Sequence, residues 1–422
     1  MEKLLLILLL STNTIVYSAT SKDHGLESVG HSKEVKTVYP ASTLENYIPV
    51  MAFVGLPQNF TTLAKYQEMR ASGVTLSYCP FTDANVMKTA LDMAQKTGIK
   101  LFIACPELNA NPEATVKRFM NHPALAGYYL SDEPNAKSFP SLGLLVKKVR
   151  AVDDKHMCYI NLLPNYATAD QLGVATYQEY VNTFINQVPV KIISFDHYPI
   201  IGNTSQSIRA GWYQNLEIVA NRAKMVNKPF WAFALSVAFS PYPLPTLASL
   251  RLQVYSDLAY GAQGIQYFTY YTLQALSNNF NNGPLDHNGN RTDSYVKLQQ
   301  MNKEIKSLSG VFLGVKMISV AHTGNSIPLG THPLTKLPKP IKSLKTQGLG
   351  AVVSFMHKAG SSYLVVVNRD FTAPMNLALI LNSGVSKVSK NGSVVALKAG
   401  TNTINVAPGD VSIYKWSDKL NN

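Results

Sequence analysis

The chain has 422 residues, 46% of them hydrophobic and 15% charged, with 38 Lys and Arg against 25 Asp and Glu for a net charge of +13. That length allows two or three domains, or one large barrel with an extra module, and the composition is too apolar for extended disorder. Three cysteines exclude a disulfide framework, and no motif points to nucleic acid as a partner.

In chain order, residues 1–19 read as a signal peptide. Lys3 gives a positive start, Leu4–Leu10 an apolar run too short to span a bilayer, and Ser18 and Ala19 a small-residue cleavage site. The expected location is therefore secreted or periplasmic, with no membrane span. Residues 20–45 are polar and aperiodic, a leader arm. From residue 48 short apolar runs alternate with amphipathic helical sequence. The predicted strands are Pro49–Val54, Val74–Cys79, Lys100–Cys105, Ala126–Leu130, Met157–Leu162, Lys191–Phe195, Pro229–Ala234 and Gly264–Phe268. Helices lie between them. Asp83 is placed to cap one over Asn85–Lys96, and Asn111-Pro112-Glu113 to open the next. Trp212–Met225 and Leu247–Tyr260 carry apolar residues at helical spacing. Eight such units in residues 46–310 predict an α/β fold, a (β/α)8 TIM barrel. An open doubly wound sheet would need a glycine-rich phosphate loop after the first strand, and Gly55-Leu56-Pro57 is not one. Cys79, Cys105 and Cys158 sit in apolar runs and read as buried thiols, a Cys79–Cys105 bridge being the alternative.

After Gly310 the helical pattern stops. Short β-rich runs separated by turns at Ala359-Gly360, Ser383-Gly384, Asn391-Gly392 and Pro408-Gly409 predict a small all-β sandwich over residues 311–422. This module holds 11 Lys and one Arg against three Asp, so most of the net charge is here. It reads as a solvated basic face that could also attract acidic glycans.

In a barrel the functional groups gather at the C-terminal strand ends. Those positions hold Glu107, Asp132, Glu133, Asn161, Asn165, Tyr166, Asp196, His197, Tyr198, Gln266, Tyr270 and Tyr271, with Trp231 in the seventh strand. The set lacks metal-ligand spacing and a nucleophile elbow, so no metal or cofactor is expected. Carboxylates among aromatic rings suit glycoside cleavage, where one acid protonates the leaving oxygen and a second group attacks or activates water. Glu133 is the first candidate for that acid, since burial beside Tyr128 and Tyr129 is expected to raise its pKa. Asp196, Asp132 and Glu107 are candidates for the second carboxylate. Asn165, Tyr166, Tyr198, Trp231, Gln266, Tyr270 and Tyr271 are candidate sugar contacts, and His197 a hydrogen-bonding side chain.

The segment Tyr129-Leu130-Ser131-Asp132-Glu133-Pro134 resembles the acid/base segment of the retaining barrel glycosidases, in which Asn-Glu-Pro closes the fourth strand. Tyr255–Tyr271 resembles the last strand of bacterial barrels related to the family-42 β-galactosidases, and Tyr363–Asp370 the small β-sandwich often appended to them. The resemblance implies a glycoside hydrolase acting on an oligo- or polysaccharide, with Glu133 as acid/base. Two departures stand out. Asp132 replaces the clan's Asn, and the seventh strand, Trp231-Ala232-Phe233-Ala234-Leu235-Ser236, lacks the clan's nucleophilic Glu. Asp196 is the favoured replacement. The Asp-Glu-Pro run also resembles N-acetylhexosaminidases, in which the substrate's acetamido oxygen is the nucleophile, Asp orients it and Glu is the acid. Strict strand alternation would aim Asp132 and Glu133 oppositely. A third alternative is a glycan-binding protein on a barrel without catalysis. A carbohydrate is the expected partner in each case; oligomeric state is left open, with a monomer favoured.

Overall fold

The computed structural model describes residues 46–274 and 279–421. The predicted signal peptide and leader arm lie outside the described residues. Eight parallel strands close into a barrel: Val50–Phe53, Leu76–Tyr78, Lys100–Ile103, Leu125–Asp132, Met157–Leu162, Ile193–Phe195, Phe230–Leu235 and Ile265–Phe268. Each predicted strand is present. Nearly every strand residue is buried, because helices cover the outer face and side chains fill the inside. The helices begin where capping was expected. Asp83 accepts from the amides of Asn85 and Val86 to start Ala84–Gln95, and Asn111 accepts from that of Ala114 to start Pro112–Phe119.

Aromatic rings fill the barrel interior. Tyr78 stacks on Tyr129 with centroids 3.8 Å apart, Tyr129 on Tyr159 at 5.6 Å, and Phe53 meets Phe233 edge-on at 5.1 Å. Trp231 closes the other end. It packs against Phe102, and a Cβ on Gly264, just before the eighth strand, would come within 2.6 Å of its ring. The three cysteines are buried free thiols.

Two antiparallel sheets follow the barrel. The six-stranded sheet runs in the order Lys316–His322, Ala351–Lys358, Ser361–Asn368, Val411–Ser417, Ser386–Val388, Val394–Ala396. The three-stranded sheet comprises Ile341–Lys345, Met375–Leu381 and Gly400–Val406. Alternation along Ala351–Lys358 serves two cores. Ala351 and Val353 pack with Leu377 and Leu379 of the smaller sheet, while Val352 and Met356 join the barrel's core. The large sheet thus lies between the small sheet and the barrel helix Leu247–Ala259, and that helix is buried almost all round. Arg251 on this helix bonds Glu304 at 2.5 Å and lies 3.4 Å from Asp410 of the sheet module, which also pairs with Lys390.

Candidate active site

At the C-terminal end of the barrel, two backbone irregularities in the fourth strand bring its two acids together. The strand pairs with the fifth as Tyr129↔Tyr159, then Ser131↔Ile160 and Asp132↔Asn161, so one residue is inserted at Leu130. This bulge shifts the alternation by one position. Without it Asp132 would face the helices. With it Asp132 faces inward beside Asn161. Glu133 then adopts φ +45°, the left-handed region, while its amide donates to the Asn161 carbonyl at 2.8 Å. A left-handed non-glycine residue costs roughly 1–2 kcal/mol. Here the turn brings the Glu133 carboxyl back over the barrel mouth, against Asp132 and Asp196.

Asp196 stands one residue past the sixth strand. Its carboxyl hydrogen-bonds that of Glu133, and the Asn161 amide donates to both Asp196 Oδ1 (2.9 Å) and Asp132 Oδ1 (3.2 Å). The amide is oriented from below. Ser194 Oγ donates to Asn161 Oδ1 at 2.9 Å, Gln266 Nε2 to Ser194 Oγ at 2.9 Å, and the Tyr159 hydroxyl to Gln266 Oε1 at 2.6 Å. A flipped Asn161 would turn its carbonyl on two carboxylates, so the chain of donors fixes one orientation.

Asp132 is exposed to solvent, and Glu133 partly so, although protein surrounds both closely. The two facts describe a pit that is open to water but walled on its sides. Confinement is the main force on the three acids. It raises Glu133 well above the usual carboxylate range, with the Asp196 and Asp132 charges adding to it. Asp196 rises for the same reason, helped by the Asp132 charge. Asp132 goes to about 6, held back by hydrogen bonds from Asn161 and Tyr129. No cation pairs with any of the three among the described ion pairs. All three are thus pushed toward the protonated form, Glu133 furthest and Asp132 least.

The pit wall is aromatic. Tyr198, 5% exposed, stacks with Phe268 at 5.5 Å. Tyr166 is 39% exposed and meets the His197 ring edge-on at 5.0 Å. His197 is buried and pushed down to about 3, first by burial; its neutral ring donates from Nδ1 to Asn215 Oδ1 at 3.0 Å. After the sixth strand a small hairpin, Ile200–Ile201 with Ser207–Ile208, delivers Arg209 over the Tyr166 ring at 4.5 Å.

Several predicted site residues lie elsewhere. Glu107 Oε1 accepts from the Ala84 amide at 3.0 Å, so it anchors a helix start rather than facing the pit. Trp231 plugs the far end of the barrel and cannot touch a sugar at the mouth. Gln266 is fully buried and acts only through Ser194 and Asn161. Tyr270 is fully buried toward Ser72 and Tyr295 in the helix layer. Tyr271, 7% exposed, donates to the His287 carbonyl at 2.9 Å and secures a loop. Asn165 donates from Nδ2 to the Gly211 carbonyl at 2.9 Å. Tyr128 faces outward and bonds Asp153 at 2.6 Å, so only Tyr129 of that pair lines the site. The seventh strand ends in Leu235 and Ser236, whose Oγ donates to the Thr269 carbonyl at 2.8 Å; no carboxylate stands there. Sequence reasoning missed the support given by Ser194 and the placement of Arg209. Ser194 shares the inward parity of Asp196, a usable signal, whereas Arg209 lies in an insertion that no barrel rule places. Among the described residues no group of His, Cys, Asp and Glu has a metal-site arrangement.

Comparison with known proteins agrees with this architecture. Residues 155–308 match the model of glycoside hydrolase family 42, described as β-galactosidase. Asp132 and Glu133 precede the matched stretch. No curated protein matches the chain. Among solved structures, a catalytic mutant of a GH42 β-galactosidase from G. stearothermophilus is similar, with 10% identity and a TM-score of 0.60 over 90% of this chain and 100% of that one. The β-galactosidase from Bacillus circulans sp. alkalophilus has 9% identity and a TM-score of 0.57 over 88% of this chain and 99% of that one. The chain is thus a (β/α)8 barrel followed by antiparallel β-sheets, similar in fold to the family-42 β-galactosidases and matching their family model over residues 155–308.

Proposed function

We propose that the pit hydrolyses glycosidic bonds of an oligo- or polysaccharide, with Glu133 protonating the leaving oxygen. One observation carries this reading. Glu133 is confined, flanked by two carboxyls and hydrogen-bonded to one of them, so it holds a proton at neutral pH. An acid catalyst has to do that. The β-galactosidase activity that names the matching family is one specificity the reading includes.

Asp196, the second carboxylate favoured from sequence, takes the role of proton-sharing partner. Carboxyls of retaining pairs stand about 5–5.5 Å apart and those of inverting pairs about 6.5–9.5 Å. A hydrogen-bonded pair is closer than either, and no anomeric carbon fits between its members. That geometry favours a second reading for the attacking group. Asp132 is ionised, accessible and beside Glu133, and the seventh strand offers no acid. In a 2-acetamido sugar the amide oxygen could attack C1 as the C1–O bond breaks. Glu133 would give its proton to the departing oxygen, and Asp132 would hold the amide N–H. Water would then open the oxazolinium intermediate, which keeps its N–H on Asp132, with Glu133 taking a proton from that water.

The test is a panel of aryl glycosides and polysaccharides with the native chain, Glu133→Gln and Asp132→Asn. The reading expects Glu133→Gln to abolish turnover of poor leaving groups and to spare activated ones in part. Substrate assistance adds that 2-acetamido sugars are preferred and that a trifluoroacetamido group slows them strongly. Unchanged turnover in Glu133→Gln would remove that residue from the mechanism. Glycan binding without hydrolysis by the native chain would favour a binding protein.

A further inference from the structure

Arg209 differs from the other arginines that the fold places in ion pairs. Arg150 pairs with Asp154, Arg251 with Glu304 and Arg291 with Glu68. Arg209 has no carboxylate within reach among the described residues, and its buried ε nitrogen has no acceptor. Its guanidinium lies over Tyr166 at 4.5 Å and Tyr242 at 5.7 Å, and Nη2 donates to the Tyr242 hydroxyl at 3.2 Å. Two aromatic faces hold the cation in place without neutralising it. The Arg209 charge also helps keep His197 neutral, so no second cation is close by.

The position matters as much as the charge. Tyr166 contacts Arg209 and feels the Asp196 charge, so the cation and the acid cluster both lie near this ring. The barrel mouth is therefore polarised, with three carboxyls around the reacting position and one guanidinium without a carboxylate partner beside Tyr166. A neutral sugar can use the guanidinium's N–H donors but gains nothing from its charge. An anionic substituent would be repelled at the floor and held at the wall, which sets the direction in which a chain lies. A guanidinium fork matches a planar carboxylate better than any other side chain does.

We propose that Arg209 and Tyr166 form a subsite for a carboxylate-bearing sugar, a uronosyl unit, next to the bond that is cleaved. The assignment rests on the glycosidase reading for its meaning, but its test does not need turnover. Galacturonate and glucuronate are titrated against the Glu133→Gln chain at pH 7, beside galactose, glucose and galactose 6-sulfate. Saturation-transfer NMR reads the millimolar affinities expected of single sugars. The uronates should bind at least tenfold more tightly than their neutral counterparts, and less tightly as salt rises. Arg209→Gln in the same background should erase the difference, while Arg209→Lys, which keeps the charge, should retain part of it. A purely structural clamp predicts instead that Arg209→Gln lowers the melting temperature and leaves selectivity alone. Equal binding of acidic and neutral sugars, no binding of either, or uronate binding that survives Arg209→Gln each overturns the proposal. Preference for the sulfated sugar overturns the carboxylate assignment and gives the wall to sulfated glycans. If the uronates bind through Arg209 but no glycoside is cleaved by the native chain, the subsite stands and the hydrolase reading falls.

Discussion

The barrel holds two groups of confined acids, and they differ in what surrounds them. Glu304, with Asp410 across the module boundary, faces Arg251, and Lys390 pairs with Asp410. The Tyr255 hydroxyl donates to Glu304 at 2.7 Å, and these donors hold the carboxyl below its ordinary range despite burial. Asp132, Glu133 and Asp196 at the mouth have amide and hydroxyl donors but no cation, and all three are raised. Glu304 is held toward its charged form and helps join two modules. The mouth acids are pushed toward the protonated form, the state that the proposed mechanism uses. Close confinement by protein is common to both, so the cation decides which way such an acid is shifted.

Substitutions that separate the two groups should have separate consequences. The largest effect is expected at the mouth. Glu133→Gln should lower kcat on poor leaving groups by about 10²–10⁴-fold with little change in melting temperature, read by steady-state kinetics and calorimetry together. At the boundary the pattern reverses. Glu304→Ala leaves Arg251 half-paired and should cost about 3 kcal/mol of stability in denaturant titrations, with kcat nearly unchanged.

Asp257 sharpens the contrast, because it is buried in the same helix as Arg251 yet has an unpartnered carboxyl oxygen. Burial raises its pKa in the folded chain. A raised folded pKa means that the folded state binds the extra proton. Its stabilising contribution is complete below the unfolded value near 4 and is lost as pH climbs toward the folded value. Asp257→Asn should therefore flatten the pH dependence of stability above pH 4 and add about 1 kcal/mol or more at neutral pH. The smallest change is a shift of a profile. Asp196→Asn removes a negative charge from beside Glu133 and lowers its pKa, so the alkaline limb of kcat/KM should move to lower pH. A limb that stays in place would mean that Asp196 does not hold the Glu133 proton.

The eight strands were legible because parallel strands buried on both faces are written as apolar runs between capped helices. Asp83 and Asn111 announced helix starts by chemistry local to them. The convergence of Asp132 and Glu133 was not legible. It depends on one extra residue at Leu130 relative to the neighbouring strand, and a register relation between distant segments leaves no local mark. The sugar-contact candidates scatter for a related reason. Trp231, Tyr198 and Tyr270 are similar in sequence, yet one plugs the barrel, one borders the pit and one lies among helices. Which face an aromatic takes depends on where its strand begins and ends, and periodicity places that only to within a few residues. Glu107 looked like a mouth acid because its partner, the Ala84 amide, belongs to another strand–helix unit.

The central claim is that the mouth holds one proton at neutral pH, on the hydrogen-bonded pair Glu133 and Asp196. Difference infrared spectroscopy between the native chain and Glu133→Gln at pH 7 tests it directly. The native-minus-variant difference should show the carbonyl band of a protonated carboxylic acid at the mouth, since the buried Asp257 is common to both chains and cancels. A difference spectrum without that band would contradict the account.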